Sequence, residues 1–413
     1  MARLPRRVRR LWEYALSERR TFRQGLVALA LSTLAGFVAG LTLSHLAGGL
    51  AELPGLLVLI PAAVGMKGTI FGAFGARLGT AEAAGLLTTG LERGSVLRRN
   101  VDAAILTTFS SSLWLAALAR VAAAAFGADA LPLWKYLLIS IVGGLLGTVV
   151  ILVLAVGLAR LGSRNGWDLD SVFAPLIMAL GDMTMLPSLF AATLLLRSDA
   201  IAVPVAAIAT VVAIAATVRL YVARDGFLRR VALEMTPTIL LTPFLDVLAG
   251  VLLDAREGQL VAVPVLLALI PPFVSQAGAL GGIFASRTTS KLRLGVISPR
   301  RLPELPAVVD AVVTAGLAVC TFALIGSLAW LVGTATGLDA VPALGTLLRG
   351  TLLAGLVLVP IVLIGGYELA IVTYRFGLDP DNQGVPIITS VADLAGVVMV
   401  LAVMTSSGVL PHG

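Results

Sequence analysis

The chain has 413 residues, 58% of them apolar and 13% charged, with 30 Lys+Arg against 23 Asp+Glu. About a quarter of the residues in soluble globular chains are charged, so this composition excludes a soluble protein and describes one embedded in a lipid bilayer. The net charge of +7 then reads as membrane topology rather than nucleic-acid binding, because basic residues collect in cytoplasmic loops. One cysteine, Cys320, and two histidines, His45 and His412, exclude an intrachain disulfide and a zinc site, so whatever chemistry occurs uses oxygen ligands or none.

The first 23 residues carry Arg3, Arg6, Arg7, Arg9, Arg10, Arg19, Arg20 and Arg23 without an apolar core. This pattern predicts a basic cytoplasmic segment over 1–24 rather than a cleaved signal peptide. A bilayer-spanning helix needs about 20 apolar residues. Suitable runs follow at about 25–50, 54–76, 101–127, 133–160, 172–196, 200–222, 236–253, 260–285, 306–333, 343–373 and 384–410. The expected fold is therefore all-α and polytopic, with eleven transmembrane helices. Counted from a cytoplasmic N-terminus, only Arg120, Lys135, Arg197, Arg256 and Arg349 fall outside, and Lys67 falls within a span. Every other Lys or Arg lies inside, an asymmetry that would collapse if one helix were lost from the count. It predicts a multi-pass plasma-membrane protein with its C-terminus outside.

The chain repeats itself. IPAAVGMKGTIFGAFGARLGT from Ile60 aligns without gaps on IPPFVSQAGALGGIFASRTTS from Ile270, at an offset of 210. RNGWDLDSVFAPLIMALGD from Arg164 aligns on RFGLDPDNQGVPIITSVAD from Arg375, at an offset of 211. Two five-helix repeats, 25–197 and 236–413, follow from this, joined by a connector helix and cytoplasmic loop at 198–235. The unmatched sixth helix restores the orientation, so a pseudo-two-fold axis along the membrane normal relates the halves.

Charges inside spans are costly and point to function. Here they are Lys67, Asp182, Asp246, Asp393 and Glu368. Asp182 and Asp393 are equivalent across the repeat, each seven residues after a proline, Pro175 or Pro386. A proline frees the carbonyl four residues earlier, at Ser171 or Asn382. Carboxylates near free carbonyls suit a hard cation such as Mg²⁺, which takes oxygen ligands and keeps several waters. The alternative is a pair of buried aspartates hydrogen-bonded to neighbouring helices. Pro61, Pro271 and Pro272 are expected to break helices two and eight near the midplane, as at transport sites. Their glycines suit close helix packing or exposed backbone along a pore. Lys67 faces Ala277 in the alignment, and either pairs with a pore aspartate or forms a structural ion pair. Asp168, Asp170, Asp379 and Asp381 precede helices five and eleven, as helix-end acids or as a carboxylate ring at the inner mouth. Asp102 and Asp310 read as dipole-complementing residues. Asp246 aligns near Ser44 and so lacks an acidic mate.

At these blocks the sequence resembles the MgtE family of magnesium transporters, in the tandem form of the eukaryotic solute carriers. GMKGTIFGAFGARLGT is similar to the family's Gly-x-Lys-Gly-Asn core and its Ala-Ser-Arg-x-Ser-Thr continuation. ASRTTS, from Ala285 to Ser290, matches the latter part, and LDPDN, from Leu378 to Asn382, resembles an Asn-Pro-Asp-Asn element. LGD at 180–182 and VAD at 391–393 match the element carrying the ion-coordinating aspartate. The resemblance implies a central pathway in which Asp182 and Asp393 bind a largely hydrated Mg²⁺ as transported ion, helped by the backbone carbonyls of Met178 and Thr389. Lys67, Asp168, Asp170, Asp379, Asp381 and Asn382 are candidates along the pathway or gate. Thr69 and Ala279 replace the family's asparagine. The expected partners are a divalent cation and the lipid bilayer, with no nucleic acid and no cofactor, and one chain supplies both halves, so a monomer can suffice. A sodium- or proton-coupled exchanger using the same aspartates is the alternative, and an intramembrane aspartyl enzyme a distant one.

Overall fold

A computed structural model describes residues 19–45, 55–83, 94–127, 131–165, 169–222, 225–378 and 383–410, together with 53, 86, 90 and 92. Within these, the side chains at 19–21, 24, 76, 79, 80, 82, 83, 159, 160, 162–165, 169–179 and 182 lie outside the description. Eleven long helices follow the eleven apolar runs. They are α1 (Arg19–His45), α2 (Leu56–Ala83), α3 (Val96–Ala125), α4 (Leu133–Leu138 and Gly144–Asn165, joined by a π-helical turn at Ile139–Gly143) and α5 (Leu169–Thr193). After them come α6 (Asp199–Val222), α7 (Gly226–Asp254), α8 (Pro264–Arg293), α9 (Leu305–Ala335), α10 (Leu344–Phe376) and α11 (Val385–Ser406). Ten helices among the described residues are long and apolar enough to cross a membrane, and Met183–Arg197 forms a shorter apolar helix.

Local chemistry sets several ends beyond the apolar runs. α7 begins ten residues before its run because the Asp225 side chain accepts a hydrogen bond from Phe227 N at 2.9 Å, satisfying a donor that the first helical turn leaves open. α10 ends where Gly377 turns to φ 63°, a left-handed conformation that glycine adopts without a Cβ clash. α8 outlasts its run to Arg293 because its polar end is held in place. Arg287 and Lys291 both reach Asp310 of α9, each at 2.6 Å. Asp310 is thus a buried ion-pair partner, where the sequence suggested a helix-dipole residue. Asp102, by contrast, is an exposed partner of Arg98 at 3.1 Å.

The prolines of α2 and α8 do not break these helices, contrary to the sequence expectation. Both run continuously, with Pro61 and with Pro271 and Pro272 inside. A proline withholds the amide that the carbonyl four residues earlier would accept, here Leu57 for Pro61 and Ala268 for Pro272. Both carbonyls are covered by a glycine on a crossing helix. A Cβ added to Gly250 of α7 would stand 2.8 Å from Leu57 O, and one added to Gly40 of α1 would overlap Ala268 O. Glycine allows the backbones to approach there.

The two crossings are symmetry equivalents, since Gly40 and Gly250 lie 210 residues apart, as do Val58 and Ala268. The first helix of each repeat packs on the second helix of the other, α1 on α8 and α7 on α2. Within each repeat, α2 packs on α5 and α8 on α11. The connector α6 lies against α3, and its outward face is apolar, as at Ile208, Val211 and Val222.

Candidate functional site

A cavity of about 90 Å³ opens where the two repeats meet. Its walls come in symmetry pairs, with Pro61 and Val64 of α2 opposite Pro271 and Val274 of α8. Leu43 of α1 likewise answers Leu253 of α7, and Leu186 of α5 answers Val397 of α11. On α2 the lining residues Pro61, Val64, Gly65 and Gly68 recur at the three- and four-residue spacing of one helix face. Apolar groups dominate the walls, and Asp393, Thr389 and Ser275 add polar atoms.

Asp393 is 7% exposed and is the acidic residue that lines this cavity among the described residues. Gly278 gives it room, since a Cβ there would stand 3.3 Å from Asp393 Oδ1 and closer still to Thr389. Thr389 lies one turn before Asp393 and returns its hydroxyl to Val385 O at 2.8 Å. Pro386 stands in the first turn of α11, where no intrahelical partner for its amide would exist in any case. The backbones of Met178 and Asp182 belong to α5, as does that of Asp170, while their side chains lie outside the described residues. Asp168, Asp379, Asp381 and Asn382 lie wholly outside them.

Lys67 is buried on α2 but turned away from the cavity stripe. Its ammonium donates to Gly144 O at 2.7 Å and to Thr148 Oγ1 of α4, with Thr108 Oγ1 of α3 at 3.4 Å. Thr108 and Thr148 share a further hydrogen bond at 3.0 Å, and the Phe71 ring lies 5.8 Å from the ammonium. No carboxylate among the described residues pairs with it, so the ion pair considered from sequence is replaced by hydroxyl and carbonyl oxygens. Glu368 is exposed on α10.

Asp246 needs a correction of register. The matched crossings at Gly40 and Gly250 set α1 on α7 at 210 residues, which pairs Asp246 with Gly36 and Ser44 with Asp254, rather than Asp246 with Ser44. The signal was present as FVAG at 37–40 against VLAG at 247–250. With this register, helix one and helix seven join the site. Gly36, Ala39 and Leu43 all line the cavity, and sequence reasoning had missed them.

No group of three or more His, Cys, Asp or Glu side chains converges among the described residues. A hard cation that keeps part of its water shell needs only one or two carboxylates, so Asp393 with hydroxyl and carbonyl oxygens is a chemically sufficient start. The family model described as MgtE, divalent cation transporter, matches residues 60–192 and again 270–403. Each stretch contains both repeated blocks of its half, and they cover most of α2 to α5 and of α8 to α11. Comparison with curated proteins and with solved structures found no match.

Proposed function

The chain belongs to the MgtE family of divalent cation transporters, and from that premise we propose that it carries Mg²⁺ along the axis between its repeats, past Asp182 and Asp393. One observation carries this reading: a buried carboxylate, Asp393, opens into a cavity whose walls are contributed in equivalent pairs by both halves. An axial ion meets the same groups from each side, and Asp182 is the residue equivalent to Asp393. Met178 and Thr389 are proposed to add backbone oxygens one turn earlier. Apolar walls with few charges strengthen attraction to the carboxylates, because little water screens it.

The chain is read as repeats 25–197 and 236–413 joined through 198–235, with its N-terminus on the cytoplasmic side of the plasma membrane. Support comes from the arginine-rich ends at Arg98, Arg99, Arg229, Arg230, Arg300 and Arg301, which that orientation gathers on one side. One chain contains both halves of the pathway and is proposed to transport as a monomer. In proteoliposomes with the membrane potential clamped by ionophore, Asp182→Asn and Asp393→Asn should each abolish Mg²⁺ uptake. Both variants should elute as monodisperse protein like the parent. Parental uptake in both variants would remove the aspartate pathway, while uptake of Mn²⁺ or Ca²⁺ but not Mg²⁺ by the parent would remove the ion assignment.

A further inference from the structure

Besides the ion-paired Asp310, the proposed pathway leaves another buried carboxylate unused. Asp246 of α7 is 0% exposed, and neither of its oxygens has a hydrogen-bond partner among the described residues. Leaving a carboxylate buried in this way is strongly unfavourable unless something positive or protic meets it. One turn earlier on the same face, the Thr242 hydroxyl is also buried without a described partner. Thr236 of the same helix behaves as helical threonines usually do, returning its hydroxyl to Ala232 O at 2.6 Å.

Asp246 is not itself a wall of the cavity but packs directly behind one. A Cβ added at Gly65 of α2 would overlap Asp246 Oδ2, and Gly65 is itself a wall of the cavity. Ser390, buried on α11 one turn before Asp393, interacts with the Asp246 carboxylate across the α7–α11 contact without closing to a full hydrogen bond. Leu253, two turns along α7 on the same face, lines the cavity too, as does Gly36, the residue equivalent to Asp246 in the first repeat. Among the charged groups on the packed helices, Lys67 is engaged by α3 and α4, which leaves Asp393 as the described charge on this side.

We propose that Asp246 is a divalent-cation ligand, forming with Ser390 and Asp393 a second station between α7 and α11, directly behind the Gly65 wall of the central cavity. The proposal rests on Asp393 belonging to the pathway. Hydroxyl and carboxylate oxygens are the donors that a hard divalent cation accepts while retaining water. The station is one-sided, because the first repeat offers a glycine where the second offers an acid. The ion path is then symmetric in shape and asymmetric in charge.

The test uses the full chain in proteoliposomes, with Mg²⁺ and Mn²⁺ as probes and Asp393→Asn measured in parallel. Asp246→Asn should raise the half-saturating cation concentration by about tenfold, the loss of one charged ligand contact. It should also reduce the thermal stabilisation that Mn²⁺ confers on the detergent-solubilised protein. Gly65→Ala, which drives the carboxylate from its place while keeping its charge, should shift the curve in the same direction and serves if Asp246→Asn does not fold. Concentration curves for both variants superimposed on the parent's would overturn the proposal. A shift with Asp246→Asn alongside parental flux in Asp393→Asn would keep Asp246 as a ligand and remove Asp393 from the pathway. The opposite pattern would do the reverse.

Discussion

The interior between α2, α3 and α4 and its equivalent between α8, α9 and α10 are built on the same backbone plan with opposite chemistry. In the first repeat Lys67 reaches Gly144 O among Thr108 and Thr148. In the second, the equivalent positions are Ala277, Gly355, Ala318 and Val359, and Phe322 fills the space. Its ring would collide with any Cβ on Gly355 and stacks on Phe273 at 4.6 Å between centroids. The residue equivalent to Phe322 is Ser112, whose backbone oxygen accepts from Ser140 in the π-helical turn of α4. α10 runs without such a turn. Several positions that face the shared cavity are the same in both repeats, Pro61 with Pro271 and Val64 with Val274, while Lys67, Thr108 and Thr148, one face away, all differ from their equivalents. The two halves thus agree more closely where both line the shared cavity than where each packs its own core.

The basic ends of the second and third helices of each repeat differ in the same sense, and offer the largest test. Arg287 and Lys291 close on a fully buried Asp310, whereas Arg77 donates to the neutral Asn100 at 2.8 Å. Asp310→Ala strands two cations against a buried gap and should cost about 3–5 kcal/mol. Asn100→Ala removes one hydrogen bond and should cost about 1 kcal/mol. Thermal unfolding in detergent checks both, and equal losses would show that the ends are not unequal in strength.

A smaller effect of opposite sign is expected at Lys67. Lys67→Met keeps the volume, leaves Thr108 and Thr148 bonded to each other, and removes an ammonium without a described counter-charge. It should raise stability by about 1 kcal/mol, making the first interior resemble the second. A loss of stability would mean that the ammonium, not the packing, holds α2 to α4.

The smallest effect concerns Asp225, which ties the start of α7 to Arg99 of α3 at 2.9 Å; the second repeat has Val309 at the position of Arg99. The Phe227 backbone amide, and then Arg99, hold the Asp225 carboxyl below the usual aspartate range. A depressed pKa contributes stability above the unfolded-state value and loses it as pH falls through the folded-state value. Asp225→Ala should cost about 0.5 kcal/mol near neutrality, because its pair with Arg99 is open to solvent. The gap should narrow as the medium is acidified, and denaturation curves at several pH values would show whether it does.

The spans, the repeat and the Asp182–Asp393 equivalence were legible because each rests on long apolar runs or on chemically distinctive residues. The register of α1 on α7 was not, because small residues carry little alignment information and Gly40 and Gly250 matter only through the carbonyls they cover. The uninterrupted course of α2 and α8 was hidden for the same reason, since the sequence displays the proline and not the glycine that meets the freed oxygen. Lys67 was readable in part. It falls outside the stripe of Pro61, Val64, Gly65 and Gly68, which a helical wheel would have separated from it.

The exchange of first helices between the repeats has a consequence for how the protein is made. α1 enters the bilayer early, yet the carbonyl that Gly40 covers belongs to Ala268, which is synthesised only after α2 to α7. Throughout that interval the glycine face of α1 lacks the α8 backbone against which it packs. The first repeat is consequently not a finished unit when its fifth helix is complete. Closure of both halves waits for α8, so truncation after α6 would leave an inserted chain with its central face open.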